Sequence, residues 1–242
     1  MNDTQFEGRF LGVLGGMGPM AGAVFMQRLV ALTDSPSDQQ HVPAILWNDP
    51  RVPDRPAGFA GSGPDPLPWM KNGVSKLVRA GAAALVIPCN TAHLWYEQLA
   101  ASTQVPILHI VQAVVDDLRS QGITTGRIGL LGTATTLKLG LYQNALQAHG
   151  YEPVLLPDHL IEGPCAASIK LVKNNRFADA LEPATCCVTA LRRLEVNAVV
   201  LGCTELPLAL PHHHRAALDV VLTDSIDSLA RAALRWYRSG QT

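Results

Sequence analysis

The chain reads as one α/β pattern written twice, and this repeat limits what it can fold into more than any other feature. "FLGVLGGMG" (10–18) can be laid over "RIGLLGTAT" (127–135), matching Gly12 to Gly129 and Gly15 to Gly132 at an offset of 117 residues. "ALVIPCNTA" (84–92) lies over "AVVLGCTEL" (198–206), and "VPILHIVQAVVDDL" (105–118) over "DVVLTDSIDSLARA" (219–232), both at an offset of 114. Three matches in chain order at nearly one spacing predict two similar halves.

Eight short apolar runs carry the pattern: 10–15, 44–48, 84–88, 106–110, 127–132, 152–157, 198–202 and 219–223. They are continuous rather than alternating, which is the mark of strands buried on both faces. Longer amphipathic or Ala-rich stretches fill the gaps, predicting helices over 20–33, 67–80, 91–101, 111–121, 136–149, 164–173, 176–194 and 226–238. Strand–helix alternation gives parallel sheets. The expected fold is α/β, with two similar subdomains of parallel-rich sheet flanked by helices and a cleft between them. The first subdomain takes residues 1–112 plus the C-terminal helix 226–242, and the second takes 113–225.

Composition excludes several function classes. The chain is 48% hydrophobic and 16% charged, with a formal net charge of −1, so neither nucleic acid nor an anionic membrane surface is an expected partner. Aromatics at 5% offer no stacking platform for bases. The start, "MNDTQFEGRF", lacks the basic and apolar regions of a secretory leader, and no apolar run reaches the roughly 18 residues of a membrane helix. Five cysteines, an odd number without CxxC spacing, fit neither a disulfide framework nor a zinc knuckle. The expectation is a soluble, cytoplasmic protein with free thiols and no metal.

Cys89 and Cys203 are the repeat's chemical signature. Each follows an apolar strand just where the next helix begins, and ligands in open α/β sheets bind beyond the carboxyl ends of the strands. Helix N-termini there would favour thiolate over thiol. If the halves face each other, two sulfurs flank one cleft. Such a pair suits removing a proton from one face of a carbon and supplying one to the other. The bland alternative is two small buried hydrophobes. A sharper one pairs Cys89 with His93, four residues on, as a thiol hydrolase or transferase.

Other motifs are weaker. Gly16–Ala21 formally fits a dinucleotide fingerprint, but Pro19 removes a backbone donor and the next strand ends near Asn48 and Asp49, too far along for the ribose-binding acid expected ~20 residues on; contact with a carboxylate or other part of a substrate suits the loop better. "NDPRVPDR" (48–55) holds two arginines in a stiff loop, and Arg55 is favoured as a bidentate carboxylate anchor. Lys173 could add a second positive charge. Cys165, Cys186 and Cys187 read as packing residues, and the "HHH" at 212–214 as a polar surface turn.

Together, "GVLGGMGP", "VPDR", "PCNTAH" and "GCTEL" resemble the cofactor-independent aspartate/glutamate racemases over most of the chain. The resemblance implies two α/β domains with the active site between them, Cys89 and Cys203 as the proton-transfer pair, no cofactor, and a homodimer. It also implies substrate contacts from Met17, Arg55, Asn90, Thr91, Lys173 and Thr204, with an acidic amino acid as the small-molecule partner. Glutamate racemases of wall synthesis typically carry an Asp-Ser-Gly first loop and a histidine soon after the second cysteine's threonine. Here the loop is Gly-Gly-Met-Gly and Glu205 follows Thr204, so the chain looks like the aspartate branch, with glutamate as a further substrate. Hydantoin racemases and maleate isomerases share the scaffold and stay as alternatives.

Overall fold

The computed structural model describes residues 8–240. The leader reading concerns mainly residues 1–7, which lie outside the described residues, as do 241 and 242.

The first half runs β1 (Leu11–Gly15), α1 (Pro19–Ala31), β2 (Ala44–Asn48), α2 (Arg55–Phe59), α3 (Leu67–Arg79), β3 (Ala84–Val86), α4 (Tyr96–Ala100), β4 (Ile107–Leu108) and α5 (Ile110–Ser120). Its four strands form a parallel sheet in the order β2-β1-β3-β4. The second half runs β5 (Gly126–Leu131), α6 (Ala134–Lys138), α7 (Leu141–Ala148), β6 (Tyr151–Leu155) and α8 (Asp158–Leu160). It continues through α9 (Ala166–Lys173), α10 (Phe177–Arg192), β7 (Ala198–Leu201), α11 (Leu206–Ala209), α12 (His212–Arg215), β8 (Val221–Asp224) and α13 (Ser225–Ser239). Its sheet, also parallel, has the order β6-β5-β7-β8. The two orders are the same permutation, so β1 corresponds to β5 and β3 to β7, as the repeat predicts.

The central strands are buried as their continuous apolar runs require, while the edge strands β2 and β6 are only partly covered. β1, β3 and β7 have every residue buried. The larger apolar core joins the halves. Leu11, Val13 and Phe25 of the first half pack in one cluster with Ile128, Val199 and Leu201 of the second, and α5 and α13 lie within it. A smaller core fills the far side of the first sheet, from Met70 and Leu77 to Met17 and Cys89.

The last helix of each half leans across the seam. α13 follows the second sheet yet packs on α1, while α5 follows the first sheet and touches α7 and β8. Charge pairs fix the crossing. Arg28 of α1 donates twice to Asp227 of α13, at 2.6 and 2.9 Å. Asp117 of α5 accepts from Ser228 and Arg231 of α13, both at 2.8 Å.

Three helix expectations and one loop expectation need correction. The segment 91–101 is a 3-10 turn (Thr91–Trp95) before a short α4. The segment 136–149 breaks at Gly140, which takes φ +70° between α6 and α7. A π-helical turn (Ile161–Cys165), opened by Gly163 and Pro164, extends the helix before α9 back to Asp158. The proline-rich loop after β2 contains α2, which the apolar pattern does not signal because only five residues form it. Among the described residues no helix is long and apolar enough to cross a membrane.

Candidate active site

Both cysteines emerge where the alignment of strands places them, past the carboxyl ends of β3 and β7. One narrow cleft between the halves is lined by Met17, Arg55, Cys89, Asn90, Thr91, Lys173, Cys203 and Thr204, together with Pro56, Thr133 and Glu205. All eight residues anticipated from sequence share this cleft; Thr133 and Glu205 are additions. Its free space is only about 20 Å³, room for roughly one water molecule. It adjoins a wider cavity of about 370 Å³, with which it shares Arg55, Lys173, Thr204 and Glu205.

The glycine loop closes one end. Gly16 has φ +93°, and a Cβ there would sit 2.1 Å from the Asp49 carbonyl oxygen, so only glycine fits. This turn buries Met17 in the cleft wall and starts α1 at Pro19.

The Pro-Asp-Arg segment explains itself locally. Asp54 caps α2 by accepting from the Ala57 backbone N–H at 2.9 Å. That cap sets Arg55 at the first helical position. Arg55 is 8% exposed; its Nη1 donates to the carbonyls of Val52 and Pro53, and its Nε is buried without a partner. Among the described residues no carboxylate pairs with it. Arg51 contrasts: its side chain is 70% exposed, and it already holds Asp49 through two 2.8 Å bonds. A buried guanidinium with spare donors, facing a cleft, is ready for an incoming carboxylate.

Cys89 and Cys203 are each 5% exposed. Burial pushes both thiols above their ordinary range, Cys203 well above it. The expectation that helix N-termini would favour thiolate is therefore corrected. Each sulfur meets one backbone N–H, from Ala92 or Glu205 respectively, at a short turn rather than a long helix, and desolvation outweighs that help. Positive charge opposes the shift: Arg55 and Lys173 at Cys89, Lys173 at Cys203. The negative charge of Glu205 raises both. Lys173 itself is exposed, in the last turn of α9.

Glu205 is the main residue that sequence reading passed over as chemistry. It is 6% exposed, and its Oε2 accepts from Cys203 Sγ at 3.0 Å and from Thr204 Oγ1 at 3.3 Å. Thr133 caps α6 and forms a hydroxyl triangle with Thr91 and Thr136, with separations of 2.8 to 3.3 Å. Asn90 is anchored on the other half. Its Nδ2 donates to Ser225 Oγ at 2.9 Å and its Oδ1 accepts from the Tyr142 hydroxyl. That leaves one N–H of Asn90 for a substrate.

His93 is fully engaged by backbone. Its Nε2 accepts from the Ile110 N–H at 3.1 Å, so its Nδ1 carries the proton donated to the Cys89 carbonyl at 2.9 Å. Burial lowers its pKa to about 3. It can neither take a proton from Cys89 Sγ nor activate it, and a Cys89–His93 nucleophilic pair loses its base.

Of the remaining titratable clusters, His212, Asp224 and Asp227 have ligand atoms within 4.8 Å of one another. Arg215 already holds Asp224 and Arg28 holds Asp227, both at 2.6 Å, so a cation would have to compete with two guanidinium groups.

A family model described as Asp/Glu/Hydantoin racemase matches residues 14–233. The chain belongs to this racemase family. It is thus an isomerase, and the two-sheet architecture is the family's. The chain is similar to the broad specificity amino-acid racemase RacX of Bacillus subtilis (strain 168), with 25% identity over 96% of this chain and all of that one. Among solved structures it is similar to Picrophilus torridus aspartate racemase, at 28% identity and a TM-score of 0.84, over 96% of this chain and 95% of that one. It shares its fold with the glutamate racemase of Francisella tularensis subsp. tularensis SCHU S4 in complex with D-glutamate. There the TM-score is 0.69 at 15% identity, covering 96% and 82% of the two chains.

Proposed function

We propose that the chain racemises acidic amino acids, aspartate first and glutamate as a further substrate, with Cys89 and Cys203 as the two proton-transfer groups. One observation carries this reading: equivalent cysteines from the two sheets line a single narrow cleft beside an unpaired, buried arginine. Binding alone does not require the second thiol, and an acyl-transfer enzyme does not require it either. The similarity to an aspartate racemase across nearly the whole chain supports the substrate choice.

In this mechanism Arg55, with Lys173 at the cleft mouth, holds the substrate carboxylates. One cysteine, as thiolate, takes the Cα proton, and its S–H bond forms as the C–H bond breaks. Negative charge spreads onto the α-carboxylate, where the remaining Asn90 N–H and the Thr91, Thr133 and Thr204 hydroxyls are the donors at hand. The other cysteine, as thiol, protonates the opposite face. Reversing the direction exchanges their roles. Because the closed cleft holds about 20 Å³, the halves must part to admit substrate and then reclose.

All five cysteines are free thiols, which suits a reducing compartment, and on that ground we assign the protein to the cytoplasm. We retain the homodimer that the family resemblance implies, which analytical ultracentrifugation tests. The function itself is tested by incubating the protein with each common amino acid in D₂O and following Cα deuterium by NMR. Exchange concentrated on aspartate supports the reading; exchange confined to other amino acids, or none, overturns it.

A further inference from the structure

Although the repeat makes the two cysteines equivalent, their surroundings are not. Cys203 donates to the Glu205 carboxylate at 3.0 Å. Cys89 has no side-chain hydrogen-bond partner among the described residues, and the positive charge acting most strongly on it is that of Arg55. Glu205 also has a second face. It lines the narrow cleft with both cysteines and the 370 Å³ outer cavity, where Gly18, Lys173, Asn175 and Leu208 are its neighbours in the wall. No arginine or lysine ion-pairs with it among the described residues. A buried carboxylate that accepts from a reacting thiol and borders an outer cavity is placed to pass a proton between the two.

We propose that Glu205 is the proton acceptor of Cys203, and that Cys203 exchanges its proton with solvent through it while the cleft is still closed, a route Cys89 lacks. The step balances simply. The Cys203 S–H bond breaks and leaves its electron pair on sulfur, while the proton forms an O–H bond on Glu205 Oε2. Glu205 then releases that proton to water in the outer cavity. The reverse sequence reloads the thiol. Cys89, with no such acceptor, keeps the proton it takes while the cleft is closed and exchanges directly with water only when the cleft opens. After a turnover that leaves Cys203 as thiol and Cys89 as thiolate, the reset therefore takes two steps: Cys203 gives its proton to water through Glu205, and Cys89 takes one directly from water. The inference rests on the two-thiol racemase reading above.

The test uses Glu205→Gln, with Glu205→Asp as a second variant that keeps the carboxylate but draws it back by one methylene. In the free enzyme, alkylation of each cysteine by iodoacetamide is followed against pH, with peptides resolved by mass spectrometry. Removing the carboxylate should lower the midpoint for Cys203 by about one pH unit or more, and that for Cys89 by less. An equal shift at both, or no shift at Cys203, overturns the inference. It would be the result if Glu205 merely held the substrate ammonium group.

In D₂O, deuterium at Cα is then measured in the unreacted pool of each aspartate enantiomer. Equal stability of the enantiomers forces kcat/KM to be the same in both directions, so label partition, not rate, reports the asymmetry. Wild type should label one enantiomer's unreacted pool ahead of the other. Glu205→Gln should reduce that excess by about tenfold, and Glu205→Asp should restore part of it. Exchange in wild type without asymmetry, or asymmetry that survives Glu205→Gln, overturns this inference and leaves the racemase standing. No exchange at all in wild type removes the racemase reading and this inference with it.

Discussion

The Tyr142 hydroxyl donates to Asn90 Oδ1 at 2.5 Å, joining α7 of the second half to the residue that follows Cys89 in the first. Tyr142 is fully buried, and its ring edge also crowds Gly202, next to Cys203: a Cβ on Gly202 would lie 2.8 Å from it. One phenol therefore touches both cysteine motifs.

Replacing Tyr142 with Phe keeps the ring and leaves Asn90 Oδ1 without that donor. The expected cost is about 1–3 kcal/mol of stability, measured by chemical denaturation. Because the freed Asn90 amide can swing, kcat should fall roughly tenfold with the overall fold unchanged by circular dichroism.

His93 sets an acid limit on stability. Its folded-state pKa of about 3 lies below the ordinary 6.5. The depressed value means the stabilisation is complete above pH 6.5, is lost progressively as pH falls below it, and is gone once pH passes below about 3. The shift corresponds to several kcal/mol, on the order of 5, across that window. His93→Gln should start less stable at pH 7 and show a shallower decline toward pH 4 in denaturation midpoints. An unchanged slope would mean that other groups govern acid unfolding.

The two arginines of the proline-rich loop should behave unlike each other. Arg55→Lys keeps the charge but loses the fork, and KM for aspartate should rise about 10- to 100-fold. Arg51→Ala removes an exposed pairing with Asp49 and should leave KM within about threefold. Steady-state kinetics on both variants decide this.

With both thiols pushed upward by burial, the fraction of enzyme carrying a thiolate grows as pH rises. The profile of kcat/KM should therefore keep climbing past pH 9 rather than level off near neutrality. A plateau below pH 8 would mean that the working base is not one of these buried thiols.

The strands were legible because each keeps an unbroken apolar run, by burial on both faces in β1, β3 and β7 and with only partial cover at the edges β2 and β6; every one of the eight runs overlaps a strand. The repeat was legible for the same reason, since equivalent strands need equivalent residues. Helix ends were less so. Nothing in the periodicity of 136–149 marks the turn at Gly140, although that glycine is the one residue there free to take positive φ. The site residues could be gathered into one group because strand ends converge. Their chemistry could not be fully read. Glu205 stands two residues from Cys203, yet only its burial and its 3.0 Å contact make it more than a departure from the glutamate-racemase pattern. Likewise His93, four residues from Cys89 on paper, is turned by the 3-10 geometry toward backbone partners. The polarity of the thiols depended on desolvation, a property of the folded cleft and not of the local sequence.

The central claim is that two sulfurs act on one carbon. The most direct measurement follows loss of optical rotation with L-aspartate for wild type, Cys89→Ser and Cys203→Ser, each confirmed folded. Wild type should racemise the substrate, and each single replacement should slow racemisation by at least about a thousandfold. Near-normal racemisation by either variant would contradict the account.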